Sequence, residues 1–232
     1  MNTTRRTFSV MLPAAAAGVA LAQTVPVRIS DTAGIPQIAP ELVKDWVGKA
    51  HERKIEVMEE LLKREPNLIQ SSWDWGNGDF ESGLQAAAHT GSRDMALFLL
   101  ERGARIDLFA VTMLGQLAML QSAIDTFPGS LHVRGAHGIP LLSHAIVGNA
   151  PAKPVLDYLL AKGVHVNAAA NNGMTALMQA VQTGQRETVQ LLLSQGADPK
   201  LKAKNGNSAL SLSVKGGKDT ITADLKAAGA SE

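Results

Sequence analysis

The chain contains no cysteine among its 232 residues, and this absence excludes disulfide bonds and paired-cysteine metal sites. It also lacks the G-x-S-x-G nucleophile elbow, the G-x-x-x-x-G-K-[ST] phosphate loop and the H-E-x-x-H zinc motif. No motif therefore points to a hydrolase, to a nucleotide-binding enzyme or to a bound cofactor. We expect a non-catalytic protein without a cofactor.

An excess of charge of one sign is also missing, since 22 Lys and Arg residues face 21 Asp and Glu residues. Residues 1–22 hold two of the arginines and no acidic residue, so their removal leaves 20 against 21 and a net charge of −1. Proteins that bind nucleic acid rely on a clear excess of positive charge. We therefore expect no nucleic-acid partner.

Residues 1–22 have the features of a secretory signal peptide, with Arg5 and Arg6 before an apolar, Ala-rich stretch. Ala20-Leu21-Ala22 offers a cleavage site. The stretch is too short and too weakly apolar for a membrane anchor, so we expect no stable membrane insertion after cleavage. Thr-Arg-Arg-Thr-Phe at residues 4–8 resembles the twin-arginine export motif, although Ser9 and Val10 replace its usual Leu and Lys. An ordinary secretory signal is the alternative, and both predict a periplasmic or secreted protein.

After this segment, residues 23–40 carry three prolines without helical periodicity and are predicted to form an extended linker. The remainder is organised by a repeating leucine. Its members are Leu84, Leu108, Leu141, Leu177 and Leu210, each followed seven residues later by a glycine. The spacings of 24, 33, 36 and 33 residues indicate a helical solenoid. A cysteine-free exported protein needs an apolar core, and stacked helices supply one.

Two motifs identify the type of repeat. Gly-Met-Thr-Ala-Leu at residues 173–177 resembles the G-x-T-P-L motif of ankyrin repeats, with Ala176 in place of the usual proline. Leu-Leu-Leu-Ser-Gln-Gly-Ala-Asp at residues 191–198 resembles their L-L-L-x-x-G-A-D motif. The resemblance implies an all-α ankyrin-repeat solenoid of about six helix-turn-helix repeats with short β-hairpin loops. The predicted repeats cover approximately 41–72, 73–107, 108–133, 134–168, 169–201 and 202–232.

The irregular spacings make further predictions. Only five residues separate Gly103 from Leu108, whereas 14 separate Gly196 from Leu210, so the hairpin before the third repeat should be almost absent. Residues 149–154 contain three extra residues and should form an enlarged turn. The first unit lacks the glycines and is highly charged, as expected of a capping repeat.

The resemblance also implies a binding surface, because ankyrin repeats usually bind proteins through hairpin tips and the exposed side of the inner helices. Met113, Leu114, Ile146 and Val147 would form an exposed apolar strip on the concave face, and such a strip usually marks a contact site. The alternative is that curvature or a one-residue shift buries it. The hairpin-tip candidates are Asn171, Asn172 and Met174. Asp79, Glu81 and His89 are further candidates for contact with a partner.

Aromatic residues are scarce, yet Trp73, Trp75 and Phe80 fall within nine residues, WDWGNGDFE at 73–81. Trp73 and Trp75 are candidate partner anchors, because tryptophan is favoured at interfaces. They are equally candidates for filling the space left by the missing hairpin. Stacking on envelope glycans is a further alternative.

Histidines and acidic residues form the last candidate site. With the intervening hairpin absent, Asp79, Glu81 and His89 are predicted to approach His137 and His144. Such a cluster could bind a metal or act in acid–base catalysis, although a structural role is more common for a buried histidine. From these observations we expect a periplasmic module that binds another protein through its concave face. The resemblance to periplasmic ankyrin proteins implies that the partner is protected or regulated by this contact.

Overall fold

The computed structural model describes residues 37–231, and twelve α-helices lie in this part of the chain. They are α1 Pro40–His51, α2 Ile55–Arg64, α3 Gly83–His89, α4 Arg93–Glu101, α5 Leu108–Met113, α6 Leu117–Thr126, α7 Leu141–Val147, α8 Lys153–Ala161, α9 Ala176–Gln182, α10 Arg186–Ser194, α11 Ala209–Lys215 and α12 Asp219–Ala227. The predicted signal peptide and the linker up to residue 36 lie outside the described residues. Pro40, the last residue of the predicted linker, is instead the first residue of α1.

The helices form six packed pairs, and the first members of successive pairs (α1, α3, α5, α7, α9 and α11) stack on one another. The repeating leucines lie in this stack, where Leu84, Leu141, Leu177 and Leu210 are at most 2% exposed. Burial of one such side chain contributes about 1.5–3 kcal/mol. The prediction of an all-α repeat solenoid is confirmed. None of these helices has the length and apolarity that crossing a membrane requires.

The first helix of each pair is the inner helix, and polar side chains determine where most of these inner helices begin. Thr175, the N-cap residue of α9, accepts a hydrogen bond from the backbone N–H of Met178. Ser82 caps α3 in the same way, and Gln85 returns a bond to its backbone. These caps set the start of each inner helix and therefore the direction in which its side chains project.

The turn inside each helix pair requires a left-handed residue. Gly91 fills this position between α3 and α4 with φ +67°. In the first pair Arg53 occupies the equivalent position with φ 59°, a conformation that costs a non-glycine residue about 1–2 kcal/mol. Its guanidinium donates a 2.6 Å hydrogen bond to the carbonyl oxygen of Thr90. This bond to the neighbouring turn offsets the strain and allows a repeat without the signature glycine.

Loops of hairpin type precede several of the inner helices. Strands β1 Ser72–Asp74 and β2 Phe80–Ser82 pair antiparallel, with Trp73 opposite Glu81. Later loops are closed by single bridges between Arg134 and Pro140, Ala169 and Thr175, and Lys202 and Ser208. Between α4 and α5 the described chain has no strand, which confirms the prediction of a missing hairpin.

The predicted enlarged turn is also present, as a 3₁₀ turn at Ala150–Ala152 between α7 and α8. Its Ala152 is fully buried, and the turn packs against α5 and the turn that follows it. The extra residues therefore cover part of the third repeat.

The predicted exposed apolar strip is wrong. Met113, Leu114 and Ile146 are 1%, 4% and 0% exposed, and Val147 is half-buried. The physical reason is that α3 contacts α7 directly, although α5 lies between them in sequence. The missing hairpin and a six-residue α5 let these helices close over the strip. Met113 and Ile146 are therefore core residues and not partner anchors.

Candidate functional site

The hairpin β1–β2 positions two acidic side chains beside the inner helices. Its turn is closed by hydrogen bonds from Trp75 N to Asp79 O, at 3.0 Å, and from Gly76 N to the Asp74 carboxylate, at 2.8 Å. Glu81 follows on β2 and is 0% exposed. Burial of a carboxylate is costly unless it is paired, so the groups around Glu81 decide what this site does.

Four side chains surround the Glu81 carboxylate. The indole N–H of Trp75 donates to Oε2 at 2.6 Å, and Nε2 of His89 lies 2.7 Å from Oε1. Nε2 of His51 is 3.3 Å from Oε1, and Nε2 of His137 is 3.4 Å from Oε2. Three imidazole rings thus converge on one buried carboxylate.

His137 reaches this position from the loop 134–140, and Asp79 in the turn of the hairpin β1–β2 holds the backbone of this loop. Its backbone N–H donates to Oδ1 of Asp79 at 2.7 Å, and its Nδ1 lies 2.9 Å from Oδ2. The residue has φ 58°, so both bonds help to hold a left-handed conformation. The predicted approach of Asp79, Glu81 and His89 to His137 is confirmed.

His51 was not predicted as a member of the cluster. It ends α1, and its Nδ1 lies 3.0 Å from the carbonyl oxygen of Val47, an arrangement in which Nδ1–H donates. Its Nε2 is 3.0 Å from Nε2 of His89. His51 precedes left-handed Arg53 by two residues, just as His89 precedes Gly91, but the sequence does not mark this register because Arg53 stands in place of the glycine.

The charges of the cluster shift two pKa values. Desolvation would raise the pKa of Glu81, but hydrogen bonds from His51 and His89, and the charges of both rings, outweigh it and lower the pKa to about 2. The same hydrogen bond to Glu81 raises the pKa of His51, against an opposing effect of burial. The carboxylate is therefore ionised at neutral pH and ready to attract positive charge.

The prediction that His144 joins this cluster is wrong. Its ring is 1% exposed, its Nδ1 bonds the carbonyl oxygen of Pro140 at 3.0 Å, and it packs against Phe109 at 5.0 Å between ring centroids. Desolvation lowers its pKa to about 4, although the bond to Pro140 opposes this. His144 points into the core because its position in α7 belongs to the buried face, and it is a satisfied structural histidine.

A groove of about 660 Å³ begins at this cluster and continues along the later repeats. It brings together several predicted site residues, namely Asp79, His89, Val147, Asn171, Asn172 and Met174. Ile139, Ser143, Gln179 and Asn205 also line it and were not predicted. Gln182 lines it as well, and the repeat register indicates this position, because Gln182 ends α9 where His89 ends α3.

Backbone hydrogen bonds join the loop tips along the groove. Asn171 N donates to His137 O at 2.8 Å, and Lys204 N donates to Asn172 O at 2.9 Å. Together with the bond between His137 N and Asp79, these contacts form a continuous series from the hairpin β1–β2 to the loop 202–208. The groove wall is therefore ordered before any ligand arrives.

The two tryptophans of the hairpin have different surroundings. Trp73 is half-buried and packs on the core, whereas Trp75 is 42% exposed and its indole N–H is bonded to Glu81. Their rings meet edge to face, with an interplanar angle of 78°. This arrangement does not provide the flat pair of faces on which a sugar would stack.

Of the described residues, His51, Glu81, His89 and His137 could hold a metal ion, since one ligand atom from each lies within 4.8 Å of the others. The arrangement can also act simply as a network of hydrogen bonds between imidazoles and a buried carboxylate. Both uses depend on the same contacts between α1, α3 and the two loops.

Comparison with known families places this geometry in context. The family model described as "Ankyrin repeats (3 copies)" matches residues 108–203 and 142–226, which together span 108–226 and slightly more than half of the chain. No curated protein matches the chain. Ankyrin repeats bind proteins and are typically non-catalytic, and the family favours neither the hydrolytic nor the glycan-binding alternative. The stacked helix pairs, the loop tips and the matching family model together show that this chain belongs to the ankyrin-repeat family.

Proposed function

We propose that this chain is a non-catalytic module of the bacterial periplasm that binds a segment of another protein in the groove. Its family supports a role in protein binding, and the groove lies where loop tips and inner helices meet. This position carries the proposal, because it is the surface that the stacked repeats leave open.

The chemistry of the groove favours an extended peptide. Its amide side chains both donate and accept hydrogen bonds, which suits a peptide backbone with alternating N–H and C=O groups. These amides are Asn171, Asn172, Gln179, Gln182 and Asn205. Ile139, Val147 and Met174 add apolar contact for side chains of the bound segment.

The order of the groove wall supports tight binding. The loop tips are already joined by the backbone bonds of His137, Asn171 and Lys204. Binding therefore costs less conformational entropy than it would if these loops were ordered only on contact with a partner.

The proposed location rests on residues 1–22. The motif at residues 4–8 favours the twin-arginine route, which carries folded proteins. By resemblance to periplasmic ankyrin proteins, the partner we propose is an enzyme that the module protects or regulates.

Export is tested by replacing Arg5 and Arg6 with lysine in the full chain and fractionating the cells. The twin-arginine route requires both arginines, so the doubly substituted chain should stay in the cytoplasm while the native chain reaches the periplasm. Equal export of both chains would assign the segment to the ordinary secretory route. Retention of the native chain in the cytoplasm would overturn the periplasmic location.

Binding in the groove is tested by placing a photo-crosslinking amino acid at Gln182 or at Gln195. Both are exposed glutamines at the end of a helix, but Gln182 lines the groove and Gln195 follows the outer helix α10. We expect a discrete crosslinked protein from position 182 and none from position 195.

The crosslinked partner then allows a quantitative test with matched variants. Gln182→Arg should weaken its binding by at least about tenfold, equivalent to 1.4 kcal/mol, because the longer charged side chain fills the groove. Gln195→Arg should leave the affinity unchanged. Equal crosslinking at both positions, or equal affinity of both variants, would contradict binding in the groove.

A further inference from the structure

We propose that His51, Glu81, His89 and His137 form a binding site for one divalent transition-metal ion, with Zn²⁺ as the ion it accepts. The ligands are Nε2 of the three histidines and Oε1 of Glu81. This inference goes beyond the proposed protein-binding function and does not depend on it.

Three of the four ligand residues have the separations of a four-coordinate ion, and the ligand atom of the fourth, His137, lies within 4.8 Å of theirs. Zn²⁺ binds histidine nitrogen at about 2.0–2.1 Å in a tetrahedron, so neighbouring ligand atoms lie roughly 3.3 Å apart. Nε2 of His51 is 3.0 Å from Nε2 of His89 and 3.3 Å from Oε1 of Glu81. The His89–Glu81 pair is shorter, at 2.7 Å, and would open slightly around an ion.

A cation at the centre of the cluster would pair with every acceptor there. Where Nδ1–H donates to Val47 or Asp79, a ring without a second proton has its lone pair on Nε2, and His51 and His137 both direct this atom at the Glu81 carboxylate. A proton on Nε2 of His51 or His89 bonds only Oε1 of Glu81 and therefore neutralises only part of this set. A metal ion replaces such protons and binds the lone pairs of the three rings and of the carboxylate together.

Hydrogen bonds from neighbouring groups orient the proposed ligands, as they do for the histidines of known metal sites. Metal-binding histidines usually donate their other N–H to a carboxylate or a backbone carbonyl. His137 has Asp79 in this role, and His51 has the carbonyl oxygen of Val47. Trp75 donates to Oε2 of Glu81, which Nε2 of His137 approaches at 3.4 Å, and Oε1 faces His51 and His89.

Ligand type and charge select the ion. Imidazole nitrogens with one carboxylate suit zinc and the neighbouring first-row transition metals, whereas calcium and magnesium prefer oxygen ligands only. The charge of a divalent ion is balanced by the carboxylates of Glu81 and Asp79. The histidine side chains remain 14–35% exposed, so an ion can enter from the groove.

The position of the site indicates what the ion does. Its ligands come from α1, the hairpin β1–β2, the end of α3 and the loop 134–140. Four protein ligands leave no open position for a substrate, which is typical of structural zinc sites. The ion would connect the first helix pair to the wall of the groove, because the proposed ligands His89 and His137 also line the groove.

The test uses the tag-free chain, freed of metal with a chelator and titrated calorimetrically with ZnCl₂ at neutral pH. We expect one ion per chain and a higher melting temperature with Zn²⁺ present. His51→Gln and His137→Gln should each weaken binding by at least about tenfold. The matched control is His132→Gln, because His132 is exposed and stacks on His165 away from the four ligands.

Circular dichroism establishes that each variant is folded, and Co²⁺ in place of Zn²⁺ reports tetrahedral coordination by its absorbance. A folded native chain that binds no Zn²⁺ would overturn the proposal and leave the cluster as a hydrogen-bonded network only. Equal loss of affinity in His132→Gln and His51→Gln would also overturn it. The purified chain is sufficient for these measurements, so they are independent of any partner protein.

Discussion

Asp79 and His137 are joined by two hydrogen bonds across 58 positions of sequence, one to the backbone N–H at 2.7 Å and one to Nδ1 at 2.9 Å. The contact exists because no hairpin stands between β1–β2 and the loop 134–140. It brings His137 to Glu81 and starts the series of bonds along the groove. One short connection, residues 102–107, therefore shapes both the cluster and the groove.

Replacing Asp79 with alanine should destabilise the chain. Two half-buried donors of His137 would lose their acceptor, at a cost of about 1–2 kcal/mol. The free energy of unfolding in urea measures this cost. Glu101→Ala, at an exposed acidic position at the end of α4, should change it by less than about 0.5 kcal/mol. A loss for Asp79→Ala no greater than for this control would contradict the structural role of the contact.

Much of the fold could be predicted from the sequence because its signals are local. The leucine spacing, the Thr175 cap and the glycine turns each depend on a few neighbouring residues. The absence of a hairpin followed from the short spacing between Gly103 and Leu108. The same short connection predicted that Asp79, Glu81 and His89 would approach His137. A connection of a few residues between two helices is too short to form a hairpin, so its length alone predicts that the hairpin is missing.

The errors concern properties that depend on how repeats pack against one another. Burial of Met113 and Ile146 arises from the contact of α3 with α7, which depends on local curvature and not on either residue. His51 was missed because Arg53 replaces the glycine that marks the register elsewhere. His144 was misplaced because sequence alone did not show that its ring faces the core.

His144 should make stability depend on pH. Its folded pKa, about 4, lies below the ordinary histidine value of 6.5, so its contribution is fully present above pH 6.5 and is lost as the pH falls towards 4. Between pH 7 and pH 5 the loss should be about 2 kcal/mol. His144→Leu removes this titration, and urea unfolding of both proteins at the two pH values isolates it. The same pH dependence in the variant would show that His144 does not titrate on unfolding.

Gly91→Ala should cost more than an equivalent substitution in an open turn. Its Cβ would lie 2.5 Å from the carbonyl oxygen of Val147, where α3 and α7 meet. Gly103 has φ +88° with nothing within 4 Å of its Cβ position, so Gly103→Ala should cost only the backbone strain, about 1–2 kcal/mol. Gly91→Ala should cost about 1–3 kcal/mol more. Equal melting temperatures would contradict the close contact that buries the apolar strip.

Trp75→Phe should separate the two roles proposed for this ring. The variant keeps most of the aromatic surface but removes the donor to buried Glu81, at a cost of about 1–3 kcal/mol. Trp73→Phe is the control, since no hydrogen bond of its indole nitrogen occurs in the described part of the chain. Urea unfolding followed by circular dichroism provides the comparison. A smaller loss for Trp75→Phe than for Trp73→Phe would argue for a partner anchor instead.

The most direct test of the account is a crystal structure of the chain grown with Zn²⁺, with anomalous diffraction recorded on both sides of the zinc absorption edge. The convergence of α1, α3 and the two loops predicts one anomalous peak about 2.0–2.2 Å from Nε2 of His51, His89 and His137 and from Oε1 of Glu81. An ordered cluster without a peak, or a peak held by other residues, would contradict it.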